Sequence, residues 1–154
     1  MAIQHKIVVV GSSNTDMVVK SNRLPAPGET VLGGVFQMIP GGKGANQAVA
    51  AARLEGAVTL VAKVGNDPFG IAAKVNFEKK GIDTSQVIIT EQSPSGVALI
   101  MVDEQGENAI SVALGANNAL SVADVEGAVP VIQAAGFLLV QLEIPLATVI
   151  HAVA

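Results

Sequence analysis

A glycine-rich segment at residues 40–48 (PGGKGANQA) runs directly into a helix-forming stretch and constrains the fold more than any other part of the chain. Residues 47–54 are rich in alanine and contain neither glycine nor proline, which predicts a helix at about 44–54. A glycine turn before a helix presents free N–H groups to a ligand and lets it approach the backbone. An ordinary loop capping a buried helix explains the glycines equally well. Lys43 and Asn46, which are polar side chains in this small apolar run, favour a binding site.

Two well-known phosphate-binding patterns do not fit this segment. A P-loop requires Ser or Thr after its Gly-Lys pair, but Gly44 follows Lys43, and Gln37 stands where the first glycine belongs. The dinucleotide-binding fingerprint requires a third glycine where Gln47 stands. It also directly follows the first strand of its domain, whereas this segment does not. The segment is therefore predicted to serve a different kind of ligand.

Short β-branched runs alternate with helical patterns along the rest of the chain. Strands are predicted at 7–10, 58–64, 87–90 and 136–142, the last one buried, and helices at 69–80, at 146–154 and, as a short segment, from Ser121. This alternation predicts an α/β fold with a doubly wound parallel-sheet core. Segments 17–20, 31–39, 97–102 and 109–112 interrupt the alternation, and we expect at least three of them to form a small accessory sheet.

Composition excludes several classes of function. The chain has 154 residues, and 50% of them are hydrophobic, which is enough for one α/β domain with a real core. A net charge of −4 without a Lys/Arg cluster argues against nucleic acid and anionic membranes as partners. The absence of cysteine excludes disulfides and thiolate metal sites. Because the N-terminus also lacks a signal-peptide pattern, we expect a cytoplasmic protein.

Polar side chains recur at the predicted carboxyl ends of strands and in the glycine loop. Asn14 and Asp16 follow the first strand, Glu143 follows the last one, and Lys43 and Asn46 belong to the loop. Each of these residues alone could be a turn cap or a solvated surface group. Together, carboxylates and amides at one end of a sheet suit a polyhydroxylated ligand, since every hydroxyl group both donates and accepts hydrogen bonds.

Four segments taken together resemble the PfkB family of carbohydrate kinases, and within it the ribokinases. These segments are 11–16 (GSSNTD), 40–48 (PGGKGANQA), 63–70 (KVGNDPFG) and 141–145 (QLEIP). They occur in the family's order and spacing, from about residue 6 to the C-terminus. In this family the GGKGAN stretch is the N-terminal signature. Several matches in register make a far more specific signal than one glycine pattern.

The resemblance implies a fold, an activity and a set of ligand-binding residues. It implies a ribokinase-like core with a small accessory β-sheet lid, contributed from about 17–39 and 97–112, through which two subunits pair as a homodimer. The implied activity is ATP-dependent phosphorylation of D-ribose to ribose 5-phosphate, with Mg²⁺ and a monovalent cation (K⁺). The residues implied to bind the sugar are Asn14, Asp16, Gly42, Lys43, Asn46 and Glu143. No residue is assigned as catalytic, nucleotide-binding or metal-binding.

The match extends only over the N-terminal half of such enzymes, so residues 1–154 are expected to be part of one incomplete domain. The family's Gly-Ala-Gly-Asp motif, with its catalytic base, does not occur here, and neither do the segments that hold ATP and the cations. We therefore expect the isolated chain to be inactive and to expose an uncovered sheet edge. The alternatives are a non-enzymatic sugar-binding or dimerisation fragment, or another sugar or nucleoside kinase of the family. Glu55 stands where the family usually has glycine, which suggests that the first helix ends one residue later.

Overall fold

The computed structural model describes residues 6–154 as an α/β protein with two sheets. Residues 1–5, on which the prediction about a signal peptide partly rests, lie outside the described part. The strands are β1 (Lys6–Val10), β2 (Asn14–Lys20), β3 (Val35–Gly41), β4 (Ala57–Gly65), β5 (Val87–Thr90), β6 (Gly96–Val102), β7 (Asn108–Ala113) and β8 (Phe137–Val140). The helices are α1 (Lys43–Arg53), α2 (Pro68–Lys79), α3 (Val122–Gln133) and α4 (Leu146–Val153), with a 3₁₀ helix at Gly115–Ala119.

The main sheet has four parallel strands in the order β5-β4-β1-β8, and helices cover both of its faces. Val9 and Leu60 point to one face, where Ala48 of α1 and Phe77 of α2 pack against them. Val10 points to the opposite face, which α3 and α4 cover. Strands buried on both faces have continuous apolar sequences, which makes β1 and β4 recognisable from the sequence. The doubly wound parallel core is confirmed.

The accessory sheet is also confirmed, and all four candidate segments contribute to it, in the order β3-β2-β6-β7. Strand β2 runs parallel to β6, whereas the outer pairs are antiparallel. Its strand boundaries differ from the prediction by up to four residues, and the largest differences are at the starts of two strands. Strand β2 begins at Asn14 and not at 17, and β3 begins at Val35 and not at 31. Asn14 pairs with Gly41 and Gly96 on its two sides, which anchors the accessory sheet directly beyond the carboxyl end of β1.

The prediction that α1 ends one residue late is wrong. The helix ends at Arg53, with Leu54 as its C-cap. Glu55 then adopts a φ of 64°. This is the left-handed conformation that glycine usually supplies at this place in a helix C-terminus. The chain therefore keeps the ordinary helix ending and accepts a strained residue there.

Two predictions for the C-terminal third are also corrected. The helix after Ser121 is not short: it extends over 12 residues despite an internal proline. Burial of Val125 and Ala128 against the sheet sustains it. Strand β8 is shorter than 136–142 and is not fully buried. Phe137 and Leu139 remain exposed because β8 forms the open edge of the sheet, with one of its faces uncovered.

None of the helices among residues 6–154 combines the length and the apolar character needed to cross a membrane.

Candidate functional site

The glycine loop lies directly on the turn that joins β1 to β2. A Cβ atom on Gly44 would stand 2.6 Å from the backbone of Gly11 and Ser12. A Cβ atom on Gly42 would stand 2.8 Å from the Ser12 carbonyl, and Gly42 has a φ of 93° besides. These glycines therefore allow the loop backbone to contact the backbone of the β1–β2 turn. The close approach that they permit is by this turn and not by a ligand.

The N-terminus of α1 is capped by the protein itself. The Lys43 N–H donates to Glu143 Oε2 at 3.2 Å, and the Ala45 N–H donates to the Ser12 carbonyl at 2.8 Å. The Gly44 N–H points at Ser12 Oγ, 3.4 Å away. An anionic ligand at a helix N-terminus needs these N–H groups free. Glu143 already supplies the negative charge, so this helix end is not a phosphate cradle.

Besides the hydrogen bond from the Lys43 N–H, two further contacts hold Glu143 in place. Its carboxylate forms an ion pair with the Lys43 ammonium group and accepts a 2.7 Å hydrogen bond from Ser12 Oγ. Burial opposes ionisation of Glu143, but the hydrogen bonds from Lys43 and Ser12 and the positive charge of Lys43 outweigh it, so its pKa lies below the ordinary value. The glutamate is a fixed, ionised acceptor.

The pKa of Asp16 is shifted in the opposite direction to that of Glu143. Its burial and the nearby negative charge of Glu143 raise the pKa of the Asp16 carboxyl above its ordinary value. The carboxylate occupies the space beside Gly41, where a Cβ atom would collide with it. Within residues 6–154 it accepts no hydrogen bond, and the Asn46 side chain makes none either. Both groups remain available to a ligand.

All six residues predicted to bind a ligand line one open cleft of about 230 Å³, between α1 and the accessory sheet. Asn14, Asp16, Gly42, Lys43, Asn46 and Glu143 line its polar side. Four apolar residues of β6 and β7, which no sequence motif singles out, line the other side: Ala98, Ile100, Ile110 and Val112. The structure therefore brings the predicted residues together, while their role as ligand contacts stays a prediction.

Larger hollows exist elsewhere on the surface, up to about 470 Å³ on the far face of the accessory sheet. That hollow is almost entirely apolar and carries no titratable group. A hollow of about 320 Å³ at the amino ends of β1 and β4 contains only Lys6 and Asp83 as charged residues. A hollow of about 310 Å³ between α1 and α2 is lined by the polar side chains Asn46, Arg53, Asn76 and Lys80, but by no carboxylate. We take the cleft that Asp16 and Glu143 line as the candidate site, because carboxylate, amide and ammonium groups meet there.

The described residues contain no cluster of carboxylate and imidazole side chains for a divalent metal ion. Among residues 6–154, no group of three or more His, Asp or Glu side chains is placed to hold a metal ion. Asp16 and Glu143 are the two carboxylates that line the cleft, and Glu143 is already bound to Lys43. We therefore assign no residue of this chain to ATP, Mg²⁺ or K⁺.

Two buried residues that support the site do not emerge from the sequence. Ser12 binds Glu143, and Asn117 donates a 2.7 Å hydrogen bond to Asn14 Oδ1. Ser12 lies in the turn after the first strand, and Asn117 belongs to a polar turn more than 100 residues from its partner. The polarity of these residues in small, glycine-containing turns is the one signal that the sequence offers for them.

Comparison with known proteins gives one consistent result. The sequence pattern of the family described as "pfkB family carbohydrate kinase" matches residues 4–152. The ribokinase of Bacillus subtilis is 46% identical over 143 residues, which cover 93% of this chain and 48% of that protein. The deoxyribokinase of Salmonella typhi is 40% identical over 147 residues, which cover 96% of this chain and 48% of that protein.

The fold agrees with solved structures of such enzymes. The Arabidopsis thaliana ribokinase in complex with ribose and ATP superposes with a TM-score of 0.77 at 33% identity, over 97% of this chain and 50% of that one. The chain thus spans about half the length of the relatives that it matches. The family match extends over nearly all of its residues, and the chain belongs to the pfkB family of carbohydrate kinases.

Proposed function

We propose that this chain is the sugar-binding part of an enzyme that phosphorylates D-ribose at its primary hydroxyl group with ATP. The cleft that five polar residues and Gly42 line supports the proposal. The names of two relatives also support it: ribokinase in Bacillus subtilis, and ribokinase complexed with ribose and ATP in Arabidopsis thaliana. ATP provides the phosphoryl group in this reaction. The residues described here act on the acceptor sugar.

The capped helix N-terminus carries the proposal. With Glu143 bound to the Lys43 N–H and ammonium groups, and Asp16 nearby, the cleft presents two carboxylates to a ligand. Such a cleft repels phosphate and favours a neutral ligand rich in hydroxyl groups. A sugar hydroxyl can donate to Asp16, while Asn46 offers both a donor and an acceptor.

The opposite wall suits the remaining surface of a sugar. The C–H faces of a furanose or pyranose ring are apolar, and Ala98, Ile100 and Val112 present apolar side chains to the cleft. These residues belong to β6 and β7 of the accessory sheet. We propose that this sheet acts as a lid that excludes water and orients the primary hydroxyl for transfer.

A second copy of the chain is the proposed partner of the accessory sheet. The face that points away from the cleft carries large exposed apolar side chains, among them Phe36, Met38 and Leu99. An apolar patch of this kind on a water-exposed sheet marks an interaction surface. We propose that it forms a homodimer interface.

Two rival functions remain, and the comparison of ribose with 2-deoxyribose separates the second of them from the proposal. A sugar-binding or dimerisation fragment without a catalytic role binds ribose and never contributes to transfer. A different sugar specificity is favoured by the 40% identity to a deoxyribokinase, because the two sugars differ by one hydroxyl group.

Calorimetry on the 154-residue chain tests the proposal. We expect heat of binding from ribose and none from ATP. A chain that binds 2-deoxyribose more tightly than ribose would favour the deoxyribokinase alternative, and a chain that binds neither sugar would contradict the proposed site. We further propose that this chain alone does not catalyse the phosphorylation of ribose. Ribose-dependent release of ADP from ATP would contradict this second proposal.

A further inference from the structure

Asn117 is a completely buried polar side chain that holds the first residue of the candidate site. It lies in the 3₁₀ helix, more than 100 positions from its partners, and is 0% exposed. Its Oδ1 accepts a 2.8 Å hydrogen bond from the Ser13 N–H. Its Nδ2 donates to the Ser13 carbonyl at 3.1 Å and to Asn14 Oδ1 at 2.7 Å.

These bonds determine which way each amide points. A backbone N–H can only donate and a backbone carbonyl can only accept, so the two bonds to Ser13 permit one orientation of the Asn117 amide. Asn117 must therefore donate to Asn14, and Asn14 must accept with its oxygen. The Asn14 Nδ2 has no hydrogen-bond partner among residues 6–154, and Asn14 lines the candidate cleft.

Two neighbouring glycines keep this arrangement in place. A Cβ atom on Gly96 would collide with both Asn117 Nδ2 and Asn14 Oδ1, the two atoms of the hydrogen bond. Gly115 opens the 3₁₀ helix with a φ of 52°, and a Cβ atom there would collide with the Pro94 carbonyl. The chain thus brings three segments together around one pair of amides without space for any side chain between them.

We propose that Asn117 is a positioning residue that turns Asn14 into a hydrogen-bond donor toward the ligand. Asn14 then offers an N–H to a ligand oxygen, while Asp16, on the same face of β2, offers a carboxylate to a hydroxyl group. Asn14 and Asp16 together therefore favour a ligand that places an acceptor oxygen at Asn14 and a donating hydroxyl group at Asp16. The identity of the ligand as ribose rests on the proposed function, whereas the orientation of Asn14 does not.

The substitution Asn117→Asp reverses the orientation with a minimal change of shape. One carboxylate oxygen still accepts from the Ser13 N–H, but the other can no longer donate to Asn14. Asn14 must turn its Nδ2 toward the new carboxylate to avoid two facing oxygens, and it then shows its oxygen to the cleft. Asn118→Asp is the matched control, because Asn118 is the exposed neighbour on the same 3₁₀ helix and gains the same charge.

Proton exchange of the side-chain amides tests the orientation without any ligand. In the unmodified chain we expect the Asn117 amide protons to exchange slowly with water and those of Asn14 to exchange rapidly. In the Asn117→Asp variant the Asn14 protons become protected, and in Asn118→Asp they do not. Protected Asn14 protons in the unmodified chain would overturn the proposal, even if the Asn117→Asp variant failed to fold.

Ribose titration tests the consequence for binding. We expect Asn117→Asp to weaken ribose binding at least about tenfold, and Asn14→Asp, which also presents an oxygen, to weaken it by a similar factor. Asn118→Asp should bind within about twofold of the unmodified chain. Unchanged affinity in Asn117→Asp would refute the positioning role. If the unmodified chain binds no ribose, the proposed function fails, and the amide exchange still decides the orientation.

Discussion

Ser12 Oγ donates a 2.7 Å hydrogen bond to Glu143 Oε2 and so joins the carboxyl ends of β1 and β8 across 131 positions of sequence. The same glutamate oxygen accepts the Lys43 N–H. The first turn of α1 and the ends of two adjacent parallel strands therefore meet at one carboxylate. This carboxylate stabilises the wall of the candidate site before any ligand arrives.

The substitution Ser12→Ala should lower the free energy of unfolding at neutral pH by about 1 kcal/mol, because it removes a bond to a charged, partly buried group. The pKa of Glu143 should rise toward its ordinary value. A lowered pKa stabilises the fold above the unfolded-state pKa, and this stabilisation is lost as the pH falls through the folded-state pKa. The difference between variant and parent should therefore vanish in acid.

Urea unfolding at several pH values measures this difference. Ser13→Ala is the matched control, since Ser13 is buried in the same turn but its hydroxyl makes no hydrogen bond within residues 6–154. An equal loss of stability in both variants at every pH would show that the bond to Glu143 contributes nothing.

Two helical glycines should respond to alanine in opposite directions. Gly44→Ala places a methyl group 2.6 Å from the backbone of Gly11 and Ser12. This overpacking should cost roughly 1–3 kcal/mol. Gly127 in α3 has open space where its Cβ would stand, so Gly127→Ala should stabilise the protein by about 0.5–1 kcal/mol. Thermal unfolding of both variants measures the effects, and a Gly44→Ala protein as stable as the parent would contradict the close contact between the loop and the turn.

Ribose binding should weaken in acid at a higher pH than an ordinary aspartate would cause. Burial and the nearby negative charge of Glu143 raise the pKa of Asp16, so its carboxylate is protonated and loses its negative charge at a higher pH than an ordinary aspartate. Calorimetry between about pH 4 and pH 7 should follow this loss, since an unperturbed aspartate titrates at about pH 3.9. The Asp16→Asn variant should bind weakly and without this pH dependence. Identical pH profiles for variant and parent would exclude Asp16 as the titrating group.

A charge on the far face of the accessory sheet should prevent self-association. Leu99 is 55% exposed in the middle of that apolar face. Leu99→Glu would place a carboxylate in the proposed interface, so sedimentation should show a dimer for the parent chain and a monomer for the variant. Leu32→Glu, in an exposed loop outside both sheets, is the control and should remain dimeric. A monomeric parent chain would contradict the proposed interface.

The parts of the fold that follow from local patterns were predictable from the sequence. Continuous apolar runs indicated β1 and β4, and the Asp67-Pro68 pair indicated the start of α2, where the Asp67 side chain accepts from the Gly70 N–H. The end of α1 was not predictable, because Glu55 adopts a glycine-like conformation that its side chain disfavours. The length of α3 depends on burial against the sheet, which outweighs the propensity of its proline.

Within the site, the sequence predicted the polar residues that line the cleft but not the residues that hold them in place. Asn14, Asp16 and Glu143 stand at strand ends, where parallel sheets collect their ligands. Ser12 and Asn117 act through contacts between segments more than 100 positions apart, and no local pattern encodes such pairs. The glycines of the loop suggest a ligand cradle in the sequence, but the structure gives them a different role. They bring the loop against the β1–β2 turn, and Glu143 takes the place that a phosphate would need.

The central claim is that five polar residues and Gly42 around the 230 Å³ cleft bind a sugar. The most direct measurement is a map of backbone amide chemical shifts of the 154-residue chain as ribose is added. We expect saturable changes concentrated at residues 14–16, 42–46 and 143 and at the facing residues of β6 and β7. Thr59 and Asp83, at the opposite end of the main sheet, should not change. The absence of saturable changes, or changes centred at that opposite end, would contradict the claim.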